Sequence, residues 1–119
     1  MDYRIVLVLD CTDPERLASF WASALGYRKS ASDEPYIVLV PDDPSRPDLV
    51  LQRVAEPKTV KNRMHLDIRV KDLKEALASL EELGATRLSQ EVIEEAGFRW
   101  VVMADPEGNE FCVGVEPPF

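Results

Sequence analysis

Residues 65–84 read His65-Leu66-Asp67-Ile68-Arg69-Val70-Lys71-Asp72 and then LKEALASLEELG, and they decide the fold because they begin a pattern that has already run once. His65 to Val70 predicts a short strand, and Asp72 stands ready to cap a helix. Leu73, Ala76, Leu77, Leu80 and Leu83 recur at helical spacing as one apolar stripe, which Gly84 ends. Earlier in the chain, Ile5 to Leu9 is an equally short, β-branched strand. Asp13 or Thr12 can cap a helix that opens at Pro14, with Glu15 favouring its N-terminus. Its stripe is Leu17, Phe20, Trp21, Ala24 and Leu25, stopped by Gly26. Asp13 and Asp72 lie 59 positions apart, and Leu25-Gly26 and Leu83-Gly84 lie 58 apart, so one helix is a residue shorter.

The segments after each helix repeat as well. After the first, Tyr27 to Lys29 starts a strand, Ser30 to Glu34 reads as a turn or loop, and Tyr36 to Val40 is a third strand. Pro41 to Asp48 is a proline-rich loop before a fourth strand, Leu49 to Val54. After the second helix come a weak strand from Thr86 to Val92, a strong one from Phe98 to Ala104, and a last one from Phe111 to Val115. Gly97 and Asp105-Pro106-Glu107-Gly108-Asn109 are the turns between them. Asp43-Pro44 and Asp105-Pro106 precede the final strand of each half. The expectation is an α+β fold of two βαβββ modules, at about residues 3–55 and 62–116, within one domain spanning 1–119. The connector Ala55 to Asn62 is too short for a flexible interdomain linker.

The net charge of −8 repels phosphate backbones and anionic lipids, so neither nucleic acid nor a membrane is expected as a partner. The longest apolar run, Ile5 to Leu9, is too short to span a bilayer, and no signal peptide is legible; a cytoplasmic protein is expected. Cys11 and Cys112 have neither metal-type spacing nor the numbers of a disulfide framework. None of the five glycines stands in a GxGxxG arrangement, so no nucleotide cofactor is expected. His65 is the only histidine and hence the one natural proton shuttle near neutral pH.

Three stretches resemble the vicinal oxygen chelate superfamily, which includes glyoxalase I, bleomycin-resistance proteins and extradiol dioxygenases. They are Asp13-Pro14-Glu15-Arg16-Leu17-Ala18-Ser19-Phe20-Trp21 with Leu25-Gly26-Tyr27, then His65 to Asp72, then Asp105-Pro106-Glu107-Gly108-Asn109-Glu110-Phe111. Lys61-Asn62-Arg63-Met64-His65-Leu66-Asp67 is similar to the short bacterial glyoxalase-like domains in particular. The resemblance implies sheets that curl around a cup with helices outside, and, in metal-dependent relatives, four ligands from the first and last strands of each module. The positions that correspond here are Val6, Gln52, His65 and Cys112. An apolar residue, an amide, an imidazole and a thiol suit a hard cation poorly, although zinc or nickel could use His65 and a Cys112 thiolate. No cofactor is therefore expected, with a divalent metal on His65 left open, and the pocket is expected to offer one imidazole and no acidic chelator.

Individual residues carry further expectations. His65 is the candidate ligand, base or hydrogen-bond donor. Asp67 and Arg69 share its face by period-two alternation, so Asp67 either pairs with Arg69 or Arg63 or contacts substrate. Trp100 shares a face with Val102 and is either a stacking surface for a flat ligand or core filling. Cys112 reads as a buried inert thiol, as a nucleophile if His65 stabilises its thiolate, or as a ligand contact; Gln52 reads as an amide donor to the ligand, and Glu110 as a surface or interface charge facing away from Cys112. Two functions compete. One is a protein that encloses a small organic molecule using Gln52, His65, Asp67, Trp100 and Cys112; the other is a metal-dependent lyase or isomerase of glyoxalase type with His65 as the catalytic residue. A homodimer is expected, because modules of this kind commonly associate edge to edge or by exchange.

Overall fold

A computed structural model describes residues 4–115, and the chain divides between Lys58 and Thr59 into two compact units. The first contains β1 (Val6–Cys11), α1 (Pro14–Leu25), β2 (Arg28–Asp33), β3 (Tyr36–Val40) and β4 (Asp48–Arg53). Its sheet runs β1-β4-β3-β2, with β1 parallel to β4 and the other pairs antiparallel. The second contains β5 (Asp67–Arg69), α2 (Leu73–Leu83), β6 (Thr86–Arg87), β7 (Ile93–Glu95), β8 (Phe98–Ala104) and β9 (Glu110–Val115). Its order is β5-β9-β8-β6, again with the first strand parallel to the last, and β7 also pairs with β8. Both units thus have the α+β, βαβββ-like layout expected from the repeat.

Both helices begin and end where their sequence signals stand. Asp13 accepts the N–H of Arg16 at 3.2 Å, Pro14 occupies the first turn, and Gly26 closes α1 in the left-handed conformation at φ 69°. Asp72 accepts the N–H of Glu75 at 3.0 Å, and Gly84 at φ 120° closes α2. In the first unit Leu17, Phe20 and Trp21 of α1 pack on Ile37 and Leu39 of β3 and Leu49 and Leu51 of β4, all almost wholly buried. In the second, Leu77 and Leu80 of α2 bury against a sheet that presents Val101, Met103, Phe111 and Val113. Each such side chain contributes about 2 kcal/mol by leaving water. The alternate residues of every long strand face away from the helix, and that second face is where the two units differ. No helix among the described residues is long and apolar enough to cross a membrane.

The structure corrects several sequence expectations. Ser30 to Glu34, expected as a loop, is mostly strand β2, whose residues are all exposed and polar or small. Its pairing with β3 comes from the backbone alone, so no hydrophobic alternation announced it. The predicted strand from Thr86 to Val92 survives only as Thr86–Arg87. Beyond it Leu88 and Ser89 both donate their N–H groups to the Val102 carbonyl, and Ser89 Oγ accepts the Val102 N–H at 3.0 Å. A hydroxyl has taken a ladder position, the chain leaves the sheet, and it returns as β7, a strand the sequence did not predict. At the matching place in the first unit the interruption is a one-residue bulge between Lys29 and Ala31. The strand predicted from His65 is shorter too, with regular pairing over Asp67–Arg69; Leu66 and Val70 each add one bond to β9.

Candidate functional site

Parallel pairing of β5 with β9 puts Asp67 directly opposite Cys112. Period-two alternation brings Arg69 to the Asp67 face, and Glu110 and Gly114 to the Cys112 face. On β8, opposite Cys112 and Gly114, stand Val102 and Trp100, and Phe98 lies two residues further along the same face. All of these but Gly114, with His65 just before β5, line one cavity of about 460 Å³ in the second unit. Phe98, Trp100 and Val102 supply its apolar surface, while Lys61, Arg69, Glu95 and Glu110 bring charges. Trp100 is therefore a cavity residue and not core filling; Val101 and Met103 take the core positions on β8.

Gly114 is required for this arrangement. A Cβ there would lie 2.7 Å from the Arg99 carbonyl oxygen and 2.9 Å from Trp100 Cβ, so only glycine lets β9 pair this closely with β8 at Trp100.

The polar cluster is tighter than the sequence implied. His65 Nε2 is 3.3 Å from Asp67 Oδ1, and Arg69 Nη1 is 3.6 Å from Asp67 Oδ2, so one carboxylate lies between an imidazole and a guanidinium. The Arg69 guanidinium also sits 5.0 Å above the Phe98 ring. The donor atoms of His65, Asp67 and Cys112 all fall within 4.8 Å of one another. The expectation of a pocket without an acidic chelator is thereby corrected: Asp67, which alternation already placed on the His65 face, brings its carboxylate to the imidazole, and no residue of the last strand is needed for it. Burial pushes the Cys112 thiol above its ordinary pKa, and the charge and hydrogen bond of Asp67 push it further. Lys61 and Arg69 pull the other way without reversing the shift.

A chain of hydrogen bonds fixes the segment before His65. Asp105 and Asn109 are buried in the turn between β8 and β9, where both Asp105 carboxylate oxygens accept from Asn109 Nδ2 at 3.0 and 2.9 Å. Asp105 Oδ1 also takes the N–H groups of Glu107 and Asn109. Asn109 Oδ1 accepts from Asn62 Nδ2 at 3.3 Å, and Glu110 Oε1 accepts the Asn62 N–H at 2.9 Å. Glu110 thus faces the cavity and not away from it, because β9 alternation puts residues 110 and 112 on one side. Sequence reasoning treated 105–109 only as a turn; Asn62, in the same motif as His65, was the signal that it has a second task.

Gln52 belongs to the first unit, half-buried on β4 opposite Asp10 and Tyr36, where its carbonyl accepts from Cys11 Sγ at 3.6 Å. By ladder register the first-unit counterpart of Cys112 is Val50, since Val50 faces Val8 and Val38 as Cys112 faces Asp67 and Val102. Val6 is the first residue of β1 and is 46% exposed. Both cysteines are free thiols, Cys11 buried and Cys112 half-buried.

An imidazole, a carboxylate and a thiol do not suit a hard cation, which takes six or more oxygens. They do match the mixed nitrogen, oxygen and sulfur ligands of zinc-class ions, and three is the number of protein ligands in open zinc sites.

Comparison with known proteins agrees with this architecture. The family model described as a glyoxalase-like domain matches residues 6–114. No curated protein matches the chain in sequence. Among solved structures, a glyoxalase/bleomycin resistance protein/dioxygenase family enzyme from Burkholderia phytofirmans PsJN superposes with a TM-score of 0.75 at 15% identity, over 92% of this chain and 95% of that one. A glyoxalase/bleomycin resistance protein from Albidiferax ferrireducens T118 gives 0.68 at 15% identity, over 93% and 96%. The protein named Oxidase ChaP-H1 gives 0.72 at 21% identity, over 98% of each chain. At these identities the likeness is one of fold.

Proposed function

Because this chain belongs to the glyoxalase-like domain family, we propose that it binds a small organic molecule with a flat apolar body in the cavity of its second unit. The observation that carries this reading is the pairing, in one cavity of about 460 Å³, of an apolar surface from β8 with the His65, Asp67 and Cys112 cluster. That volume lies within the usual range of small-molecule sites, as does the plan of apolar walls and a few polar groups. Trp100 and Phe98 stack on the ligand, and His65 gives or accepts a hydrogen bond at its polar end. Asp67 orients the imidazole, and Cys112 is a weak, neutral contact. In this reading the two units act as one domain in a cytoplasmic homodimer, with no nucleic-acid or membrane partner. The charge of −8 supports the last point.

A second reading, a metal-dependent lyase or isomerase, is favoured by one observation, the arrival of Asp67 beside His65. His65, Asp67 and Cys112 would hold a divalent ion, which would supply Lewis-acid polarisation of a substrate carbonyl. Proton movement then falls to a cavity carboxylate outside the three, Glu95 or Glu110.

Anilinonaphthalene sulfonate, a flat aromatic probe, tests the main reading on metal-free protein. Saturable binding with energy transfer from tryptophan is expected, about fivefold weaker in Trp100→Leu, the worth of one aromatic contact of ~1 kcal/mol. Equal affinity in Trp100→Leu and His65→Ala would place the probe elsewhere and end the reading.

A further inference from the structure

The row of the second sheet that contains Trp100 has a gap at its middle. Arg69 on β5 pairs with Gly114 on β9, and Gly114 pairs with Trp100 on β8. Arg69 and Trp100 therefore stand roughly 10 Å apart at their Cα atoms, two ladder spacings, with bare backbone between them. We infer that this row selects a planar aromatic carboxylate, its ring against Trp100 and its carboxylate on Arg69. The ligand class so assigned rests on the reading of the cavity as a small-molecule site.

Arg69 is poised for that task. Its side chain reaches across β9 to β8, where Cζ lies 5.0 Å from the centroid of the Phe98 ring. Asp67 Oδ2 is 3.6 Å from Nη1, longer than a hydrogen bond, and the guanidinium makes no hydrogen bond to any described residue. An arginine has five N–H donors in a planar fork that fits both oxygens of a carboxylate. The Phe98 ring and Asp67 hold this fork before a ligand arrives, so binding costs little side-chain entropy.

The other charges of the cavity are disposed differently. Asp67 lies between His65 and Arg69, and Glu110 accepts the Asn62 N–H. Lys61 donates to the Asn62 carbonyl and adds a second cation to the cavity wall. Burial and Asp67 keep the Cys112 thiol neutral near pH 7, so it adds no opposing charge. Glu95, exposed on β7 opposite Phe98, has no hydrogen bond or ion pair to a described residue. A cationic ligand would have to order Glu95 on binding, whereas Arg69 is ordered already. The chain's net charge of −8 opposes a free anion, so preference for one must come from local cations.

The test is titration calorimetry at pH 8 on the full chain, stripped with chelator so that no metal ion can receive the carboxylate. Naphthalene-2-carboxylate should bind about tenfold more tightly than naphthalene-2-carboxamide, the worth of hydrogen bonds to a charged group. Naphthalen-2-ylmethylammonium should bind no better than the amide. Arg69→Leu should bring the carboxylate down to the affinity of the amide. Arg69→Lys, which keeps the charge but not the fork, should retain part of the preference. Arg87→Leu, which removes a guanidinium of the same unit outside the cavity, should retain all of it.

Equal affinities for carboxylate and amide in the unsubstituted chain would overturn the assignment while the cavity reading stands, and that comparison depends on no variant's folding. Tighter binding of the ammonium than of the carboxylate would overturn it in favour of Glu95. Full preference surviving in Arg69→Leu would overturn it as well. Failure of all three naphthalenes to bind would end the cavity reading, and the ligand class with it.

Discussion

The two repeats use one scaffold for opposite purposes. Their helix-facing sides match in kind: Ile37 and Leu39 stand where Val101 and Met103 stand, and Leu49 and Leu51 where Phe111 and Val113 stand, all at most 2% exposed. Their other sides do not match. Val6, Val8 and Val50 in the first unit occupy the places of His65, Asp67 and Cys112 in the second, and Tyr36 occupies that of Trp100. A helix-facing position must fill a close-packed interior, which restricts it to apolar side chains of suitable volume. The opposite face, with Val6 at 46% and Val8 at 55% exposure, is under no such demand within its unit. Chemistry therefore resides where packing leaves the residue undecided.

The sharpest way to break this comparison is through the tryptophans. Trp21, 2% exposed and edge-on to Phe20 at 5.1 Å, should cost about 4 kcal/mol when replaced by alanine. Trp100→Ala should cost about 1 kcal/mol, and equal shifts in urea midpoint would refute the division into core and cavity faces. Next comes Gly114, whose counterpart in the first unit is Gln52. Gly114→Ala should lose about 3 kcal/mol by forcing β9 from Trp100, against less than about 1 kcal/mol for Gln52→Ala, both read by thermal unfolding.

A smaller contrast lies in the two Asp-Pro turns. Asp105, 3% exposed with its carboxylate fully engaged, should lose about 2 kcal/mol as alanine. Asp43, exposed and bonded to the Ser45 N–H at 2.9 Å, should lose less in the same melt. The smallest effect concerns the thiols of metal-free protein. Cys112 should react with iodoacetamide in the native state, whereas Cys11, 2% exposed, should not. Half-maximal rate should fall at a pH above that of an ordinary thiol, because burial and Asp67 both disfavour the thiolate, and Asp67→Asn should lower it. The linked stability is intact below the ordinary thiol pKa and declines as pH rises toward the raised one, since the unfolded chain loses its proton first.

Much of the fold was legible because its signals are local. Asp13, Pro14 and Gly26, and again Asp72 and Gly84, bracket helices whose stripes lie within a dozen residues. The polar strand β2 and the divided β6 and β7 were not legible, because exposed strands have no alternation and a serine hydroxyl interrupts one ladder. In the site, alternation did place Asp67 and Arg69 together, and the family resemblance singled out His65 and Cys112. What no local pattern could show was that Asp67 meets Cys112, which depends on a parallel register between segments far apart in sequence. Glu110 was misplaced for a similar reason: its side is set by counting back two from Cys112, not by its nearness to Asn109.

The three-residue β5 has one further consequence. Were it to slide by a single residue along β9, Leu66 and Ile68 would turn to water while Asp67 and Arg69 turned toward the helix, a burial of charge that costs several kcal/mol. The same slip would dismantle the donor set. Proofreading of strand alignment during folding and assembly of the chemistry are thus a single event.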